Sequence, residues 1–289
     1  MRLYAAYHWM PLTIGGRPAS PLKCKNLHDD GVEVKRIIGR RQRLTTTMVA
    51  RRIGGPRVAY QWADCERTFI AARYDRIAGL IGFIDWLLFV PPHFRKHAAQ
   101  RLALKAGDRV LEIGCGTGRN FPNLREAIGT SGQIYGVDLS AGMLAKAQEL
   151  CEQERWTNVE LVQEDAAAYV APEPLDGVLF GLSYNTMPHH LTVLRHAMKQ
   201  LRPGGRIVIM DGKLPRGTAG QFLLPFSLWL MKFTMLGNPL IKPWKDLAAV
   251  VDGFEMEEFL FGSWYICWGK KSDRAMELQD APEQLIAAE

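Results

Sequence analysis

At 289 residues the chain is long enough for one large domain or two small ones. Its 47% hydrophobic and 23% charged residues are ordinary for a soluble globular protein. The net charge of +6 is unevenly placed: residues 1–67 hold thirteen Lys/Arg against five Asp/Glu, so the rest of the chain is slightly acidic. The basic excess therefore describes a tail, and no nucleic-acid partner is expected. The cysteines, Cys24, Cys65, Cys115, Cys151 and Cys267, form no C-x-x-C pair, so neither a disulfide framework nor a zinc site is indicated.

Residues 1–67 repeat Gly, Pro, Arg and Thr with no sustained apolar period. They read as a basic, disordered extension, with Met48 an alternative start, or as a tether to an anionic surface. Residues 68–272 read as one domain with a helical lid, and 273–289 as a C-terminal tail. From Phe69 to Leu104 the pattern turns helical and is split by Pro91 and Pro92, the second suited to the first position of a helix. Ile77 to Val90 is apolar but only fourteen residues long and contains Asp85, too short for a membrane span. It suits an N-terminal helical lid.

The stretch from Arg109 to Ser140 organises the remainder. Val110, Leu111 and Ile113 form an apolar run typical of a buried parallel strand. Gly114, Gly116 and Gly118 follow at once, where glycine permits a left-handed backbone and close approach of a ligand. A second strand, Gln133 to Val137, ends on Asp138, an acid placed to face ribose hydroxyls in a βαβ unit. A dinucleotide fingerprint would need glycine at 119, where Arg119 stands. The pattern is instead E-x-G-x-G-x-G, led by Glu112, and an acid at the loop mouth suits a ligand bearing an ammonium or sulfonium rather than a pyrophosphate.

Glu112 to Gly118 together with Asp138 resembles the class I S-adenosylmethionine-dependent methyltransferases. The resemblance implies that S-adenosylmethionine is held by Glu112 at its ammonium, by the backbone of Gly114, Gly116 and Gly118, and by Asp138 at the ribose. It extends the cofactor contacts to Leu139 and Met143, just beyond Asp138, and to Asp165 and Ala166, at the adenine. Tyr74-Asp75 resembles the tyrosine–aspartate pair of the leading segment in quinone- and lipid-modifying members, where the tyrosine reaches the cofactor.

Beyond the motif, Ala141 to Arg155 reads as a helix capped by Ser140. Strands follow at Val159–Val162, Leu175–Gly181 and Arg206–Met210, with a helix from Leu191 to Leu201 closed by Arg202-Pro203-Gly204-Gly205. Alternating strands and helices demand a parallel sheet with crossover helices. Phe254–Leu260 and Trp264–Trp268 look like a closing hairpin. It fits the antiparallel last strand of the family's seven-stranded, Rossmann-like, doubly wound α/β sheet.

The acceptor should meet the end of the fourth strand, LSYNTMPHH, since the first three strand ends serve the cofactor. Its polar candidates are Tyr184, Asn185, His189 and His190, the histidines as bases at neutral pH. No acidic metal cluster is evident. Ser183-Tyr184 and Met187-Pro188 are similar to enzymes that methylate lipid headgroup amines, within a grouping that includes the quinone methyltransferases. Gln221 to Leu236 is apolar on every helix face and suits a wall of a greasy acceptor site. The expectation is a cytoplasmic methyltransferase acting on a hydrophobic small molecule, foremost a lipid headgroup amine, with a quinone ring or another small molecule as alternative. It would contact an anionic membrane peripherally at its inner face. A non-catalytic S-adenosylmethionine-binding module is the reading from another class.

Overall fold

The computed structural model describes residues 70–80, 83, 90–91, 93–215, 217–218, 237–238 and 240–271. The basic extension, the C-terminal tail, the segment 222–236 and most of 81–92 lie outside the described residues.

The apolar runs become strands. β1 (Arg109–Ile113) is buried from Val110 onward, and β2 (Gln133–Asp138) and β4 (Leu175–Gly181) are buried almost throughout, as strands covered on both faces must be. β3 (Val159–Gln163) sits at one edge and is only half-buried. β1, β2, β3, β4 and β5 (Leu201–Gly212) pair in parallel, while β7 (Trp264–Lys271) runs antiparallel between β5 and β6 (Val251–Phe259). The order is β3-β2-β1-β4-β5-β7-β6, so the chain leaves β1 in one direction and returns to pair on its other side. A crevice opens at that reversal, beyond the carboxyl ends of β1 and β4.

Helices cover both faces. α1 (Phe94–Arg101), α2 (Phe121–Ile128) and α3 (Ala141–Gln153) pack Phe94, Phe121, Leu124 and Ala147 against Val110, Ile134, Leu179 and Val208. On the opposite face α4 (His190–Gln200) and α5 (Pro243–Ala248) cover Leu111, Val178, Ile207 and Tyr265. Ser140 caps α3 as its sequence implies: its Oγ accepts the Met143 N–H at 3.0 Å.

Three boundaries differ from the sequence reading. α1 begins at Phe94, with His93 before it in a left-handed conformation (φ 61°), rather than at Pro92. α4 ends at Gln200 and β5 starts at Leu201, because Leu201 pairs with Leu175 before a register shift that brings Arg206 opposite Gly177. Arg202-Pro203-Gly204-Gly205 therefore forms a bulge inside the strand rather than a turn after the helix. β6 starts at Val251, three residues earlier than the sequence suggests.

Candidate active site

The glycine loop is shaped by three separate demands. Gly114, Gly116 and Gly118 all have positive φ (66°, 55° and 76°). A Cβ on Gly114 would lie 2.5 Å from that of Ser183, and one on Gly118 would lie 2.6 Å from the Phe121 ring. Around Gly116 a Cβ would meet none of the described residues within 4 Å, which leaves room for a ligand to reach the backbone. The loop is tied to the end of β2: the Gly114 and Cys115 N–H groups donate to the Val137 carbonyl. The Gly116 N–H donates to Asp138 Oδ2 at 2.8 Å, and the Ser140 N–H donates to Oδ1 at 2.9 Å. Each carboxylate oxygen of Asp138 keeps a lone pair for a hydroxyl donor. Burial raises the Asp138 pKa against the pull of these N–H groups.

Glu112, on β1 beneath the loop, is 0% exposed. Its Oε1 accepts the Asn120 Nδ2–H at 2.5 Å, and Asn120 Oδ1 in turn accepts from Arg95 Nη1 at 2.9 Å. Oε2 is buried with no hydrogen-bond partner among the described residues. Burial pushes the carboxyl up to about 8, although the Asn120 hydrogen bond and the Arg95 charge pull it down and Asp138 adds to the rise. A buried carboxylate with one oxygen unpaired is costly by itself. Its surroundings fit an incoming ammonium, the group at the amino-acid end of S-adenosylmethionine. Asn120 and Arg95 escaped the sequence reading; the only signal was the asparagine just after the glycine loop.

The leading segment, helical over 70–75, bridges the two halves of the crevice. Asp75 Oδ1 accepts from Ser140 Oγ at 2.5 Å and from the Gly142 N–H at 2.8 Å, holding the first turn of α3. Tyr74 shares a hydrogen bond with the Thr186 side chain beyond β4, and burial together with the Asp138 and Asp211 charges raises its pKa to about 12. The tyrosine thus stands between the cofactor motif and the acceptor strand end. At the end of β3, Asp165 Oδ1 accepts the Ala167 N–H at 2.9 Å, with Ala166 half-buried beside it. Gln163 Nε2 ties that end to the Leu139 carbonyl at 3.2 Å. Met143 is buried under the leading segment's end of α3.

The acceptor candidates separate into different places. His189 is exposed and immediately precedes α4. Tyr184 is fully buried and its hydroxyl donates to Asp246 Oδ2 at 3.2 Å, with the His190 ring edge-on at 5.3 Å. His190 Nε2 lies 3.7 Å from the same Asp246 oxygen, and burial lowers its pKa while Asp246 opposes the shift. Asn185 donates its N–H to Asp211 Oδ2 and its Nδ2–H to the Gly212 carbonyl. The structure therefore brings Asn185 and Tyr74 to the crevice, turns Tyr184 and His190 toward α5, and leaves His189 in solvent. Asp211 and Asp246, the partners of these candidates, were not singled out from the sequence. Asp211 is visible in sequence as an acid ending an apolar strand; Asp246 carries no comparable signal. Among the described residues no three His, Cys, Asp or Glu side chains converge as metal ligands.

The family pattern described as a methyltransferase domain matches residues 110–205, from β1 to the bulge in β5. A demethylmenaquinone methyltransferase of Lactococcus lactis is 31% identical over 179 residues, which cover 61% of this chain and 68% of that protein. The chain belongs to the class I S-adenosylmethionine-dependent methyltransferases. A second relative, the demethylmenaquinone methyltransferase of Anoxybacillus flavithermus, is 30% identical over 150 residues. The match covers 50% of this chain and 60% of that protein, so the chain spans about three fifths of this relative's length. In a Haloferax volcanii complex of a methyltransferase activator and a methyltransferase, a chain matches with a TM-score of 0.54 at 14% identity, over 68% of this chain and 97% of that one, which bears on the fold alone. This methyltransferase fold carries the predicted seven strands with the last one antiparallel.

Proposed function

We propose that this methyltransferase transfers a methyl group from S-adenosylmethionine to a ring atom of a hydrophobic quinol-type acceptor. The observation that carries the cofactor half is the buried, unpaired Oε2 of Glu112 beneath an open glycine loop. Glu112 would hold the ammonium, Asp138 the ribose hydroxyls, and Asp165 with the backbone at Ala166 the adenine. When bound, the cofactor supplies an electrophilic methyl on a sulfonium, whose departing sulfur keeps the S–C electron pair. The protein's own part is alignment: Tyr74, anchored through Thr186, narrows the space between donor and acceptor, where proximity alone is worth roughly 7–11 kcal/mol in good intramolecular cases.

The relatives named for demethylmenaquinone support a ring acceptor ahead of the lipid headgroup amine expected from the sequence. A quinone ring becomes nucleophilic only when reduced, so the acceptor would be the hydroquinone form. We further propose that the acceptor is met at the surface of an anionic bilayer; among the described residues no helix is long and apolar enough to cross one.

The test is radiolabelled methyl transfer from S-adenosylmethionine to a short-tailed naphthohydroquinone kept reduced, beside phosphatidylethanolamine vesicles. Label in the ring product supports the reading. Label in the headgroup alone returns the function to lipid amines. Cofactor binding without transfer to either leaves a binding module.

A further inference from the structure

The fifth parallel strand ends on a carboxylate that the cofactor half of the site does not use. Asp211 closes β5 next to the turn that follows β4, and its carboxyl spans the two: Oδ1 accepts the Gly212 N–H at 2.8 Å and Oδ2 the Asn185 N–H at 3.2 Å. Asn185 braces the same corner through its Nδ2–H bond to the Gly212 carbonyl and through its own carbonyl, which accepts the Asn238 N–H. The side chain is 8% exposed. The Asp211 charge acts on Tyr74 from the leading segment and on Tyr265 and Cys267 from β7, all three held in their neutral forms. Asp246 on α5 acts on Tyr265 and Cys267 as well. Lys213, two residues along, pairs with Glu258 and lies over the rings of Trp244 and Tyr265. Tyr265, the register partner of Asp211, is 0% exposed, and its hydroxyl has no hydrogen-bond partner among the described residues.

An acid here is surrounded by phenols, backbone donors and apolar chain. Burial pushes it up to about 7, with the Gly212 and Asn185 hydrogen bonds pulling the other way. At neutral pH such a group is divided between its two forms, the balance that suits proton transfer. The histidines are worse placed, His189 in solvent and His190 turned to Tyr184 and Asp246.

We propose that Asp211 is the base that accepts the phenolic proton of the methyl acceptor, and that Asn185 positions it. The inference rests on the ring-acceptor reading above. The acceptor's O–H proton passes to an Asp211 oxygen, and the electron pair left on the acceptor's own oxygen flows into the ring. The ring carbon then bonds the methyl carbon as the S–CH3 bond breaks with its electrons on sulfur. The ring carbon's own hydrogen leaves as a proton to restore aromaticity and the acceptor oxygen regains a proton through solvent, while Asp211 gives up the proton it took, so one proton is released per methyl transferred.

The experiment compares kcat against pH for the wild-type protein, Asp211→Asn and Asp211→Glu, with the reduced naphthohydroquinone as acceptor and calorimetric cofactor binding as the control. The expected result is a wild-type rate that rises through about pH 7, and an Asp211→Asn rate lower by roughly a hundredfold or more and without that rise. Cofactor affinity stays unchanged and Asp211→Glu recovers part of the rate. Asp211→Asn acting at wild-type speed, or acting slowly with the rise intact, assigns the proton to another group. Should Asp211→Asn fail to fold, a wild-type rate that is flat between about pH 6 and 8 overturns the assignment by itself. A wild-type protein that binds cofactor but methylates no ring removes the ring-acceptor reading and this inference with it; a fast Asp211→Asn removes this inference alone.

Discussion

Glu112→Gln should have opposite effects on stability and on cofactor binding. The carboxyl is 0% exposed, carries an unpaired oxygen, and is pushed from 4.5 to about 8 by burial. A folded-state pKa above the unfolded one means the contribution is fully present below about pH 4.5 and is lost as pH rises through 8. At about 1.4 kcal/mol per pH unit, neutral solution costs the cofactor-free protein roughly 3 kcal/mol relative to acid. Glutamine escapes that cost, so its thermal midpoint should exceed the wild type's at pH 7 and lose the advantage near pH 5. Binding an ammonium requires the ionised carboxylate. Cofactor affinity of the wild type should therefore tighten about tenfold from pH 6 to pH 7, with close to one proton released per cofactor, until the cofactor's own amino group begins to titrate at about 8. Glu112→Gln should show neither the pH dependence nor the proton release. It should bind weaker at pH 7.5 by the about 1.5–3 kcal/mol of a charged hydrogen bond. Calorimetry in two buffers of different ionisation enthalpy measures both quantities. Wild-type affinity that is flat with pH, with no proton exchanged, would show that Glu112 is not the group meeting the ammonium.

Asp138→Ala removes the acceptor of the Gly116 and Ser140 N–H groups, so it should cost about 1–3 kcal/mol of stability as well as at least tenfold in cofactor affinity, read by denaturant melts and calorimetry. A variant with wild-type affinity would take Asp138 out of the site. Asp75→Ala frees Ser140 Oγ and the Gly142 N–H from the leading segment, while Ser140 keeps its cap on Met143. The sheet should melt where it did, and cofactor dissociation in stopped flow should quicken about tenfold, the equivalent of about 1.4 kcal/mol. An unchanged dissociation rate would mean the segment does not gate the cleft.

The parts legible in sequence are those fixed by local pattern. A buried parallel strand must be an apolar run, and a backbone with positive φ favours glycine, so β1, the loop and β2 could be placed from residues 109–140. Ser140 announces its cap by residue type. What stayed hidden depends on chain separated by dozens of residues. Arg95 and Asn120 reach Glu112 only because α1 and α2 share one face of the sheet. Asp246 meets Tyr184 because α5, far along the sequence from the end of β4, packs on the same face as α4. The bulge at 202–205 was missed because Pro-Gly-Gly normally ends an element. Only the pairing of Leu201 with Leu175 reveals that the strand has already begun.

The hairpin tip carries the last prediction. Leu260, Phe261 and Gly262 all have positive φ (48°, 56° and 80°), and only the third is a glycine. A left-handed conformation costs a side chain with a Cβ roughly 1–2 kcal/mol per residue. The usual compensation is burial, yet Phe261 is 99% exposed and Leu260 50%. Register places this tip at the carboxyl end of the parallel strands: Trp264 pairs with Gly212, and the Lys213 N–H donates to the Ser263 carbonyl. Two apolar side chains are thus held, at a cost, on the side where the proposed acceptor would enter. If the protein meets a bilayer as proposed, these side chains are the ones to enter it. Phe261→Gly should relieve the turn and raise stability by about 1 kcal/mol, less the entropy glycine adds to the unfolded chain. It should also remove the ring's transfer energy, about 1.5–3 kcal/mol, which lowers partition onto anionic vesicles between about tenfold and a hundredfold. Flotation at low salt and a thermal melt on the same sample read the two effects. Equal flotation of variant and wild type would remove the tip from the membrane contact. A variant that melts lower would show that the turn was not strained by Phe261.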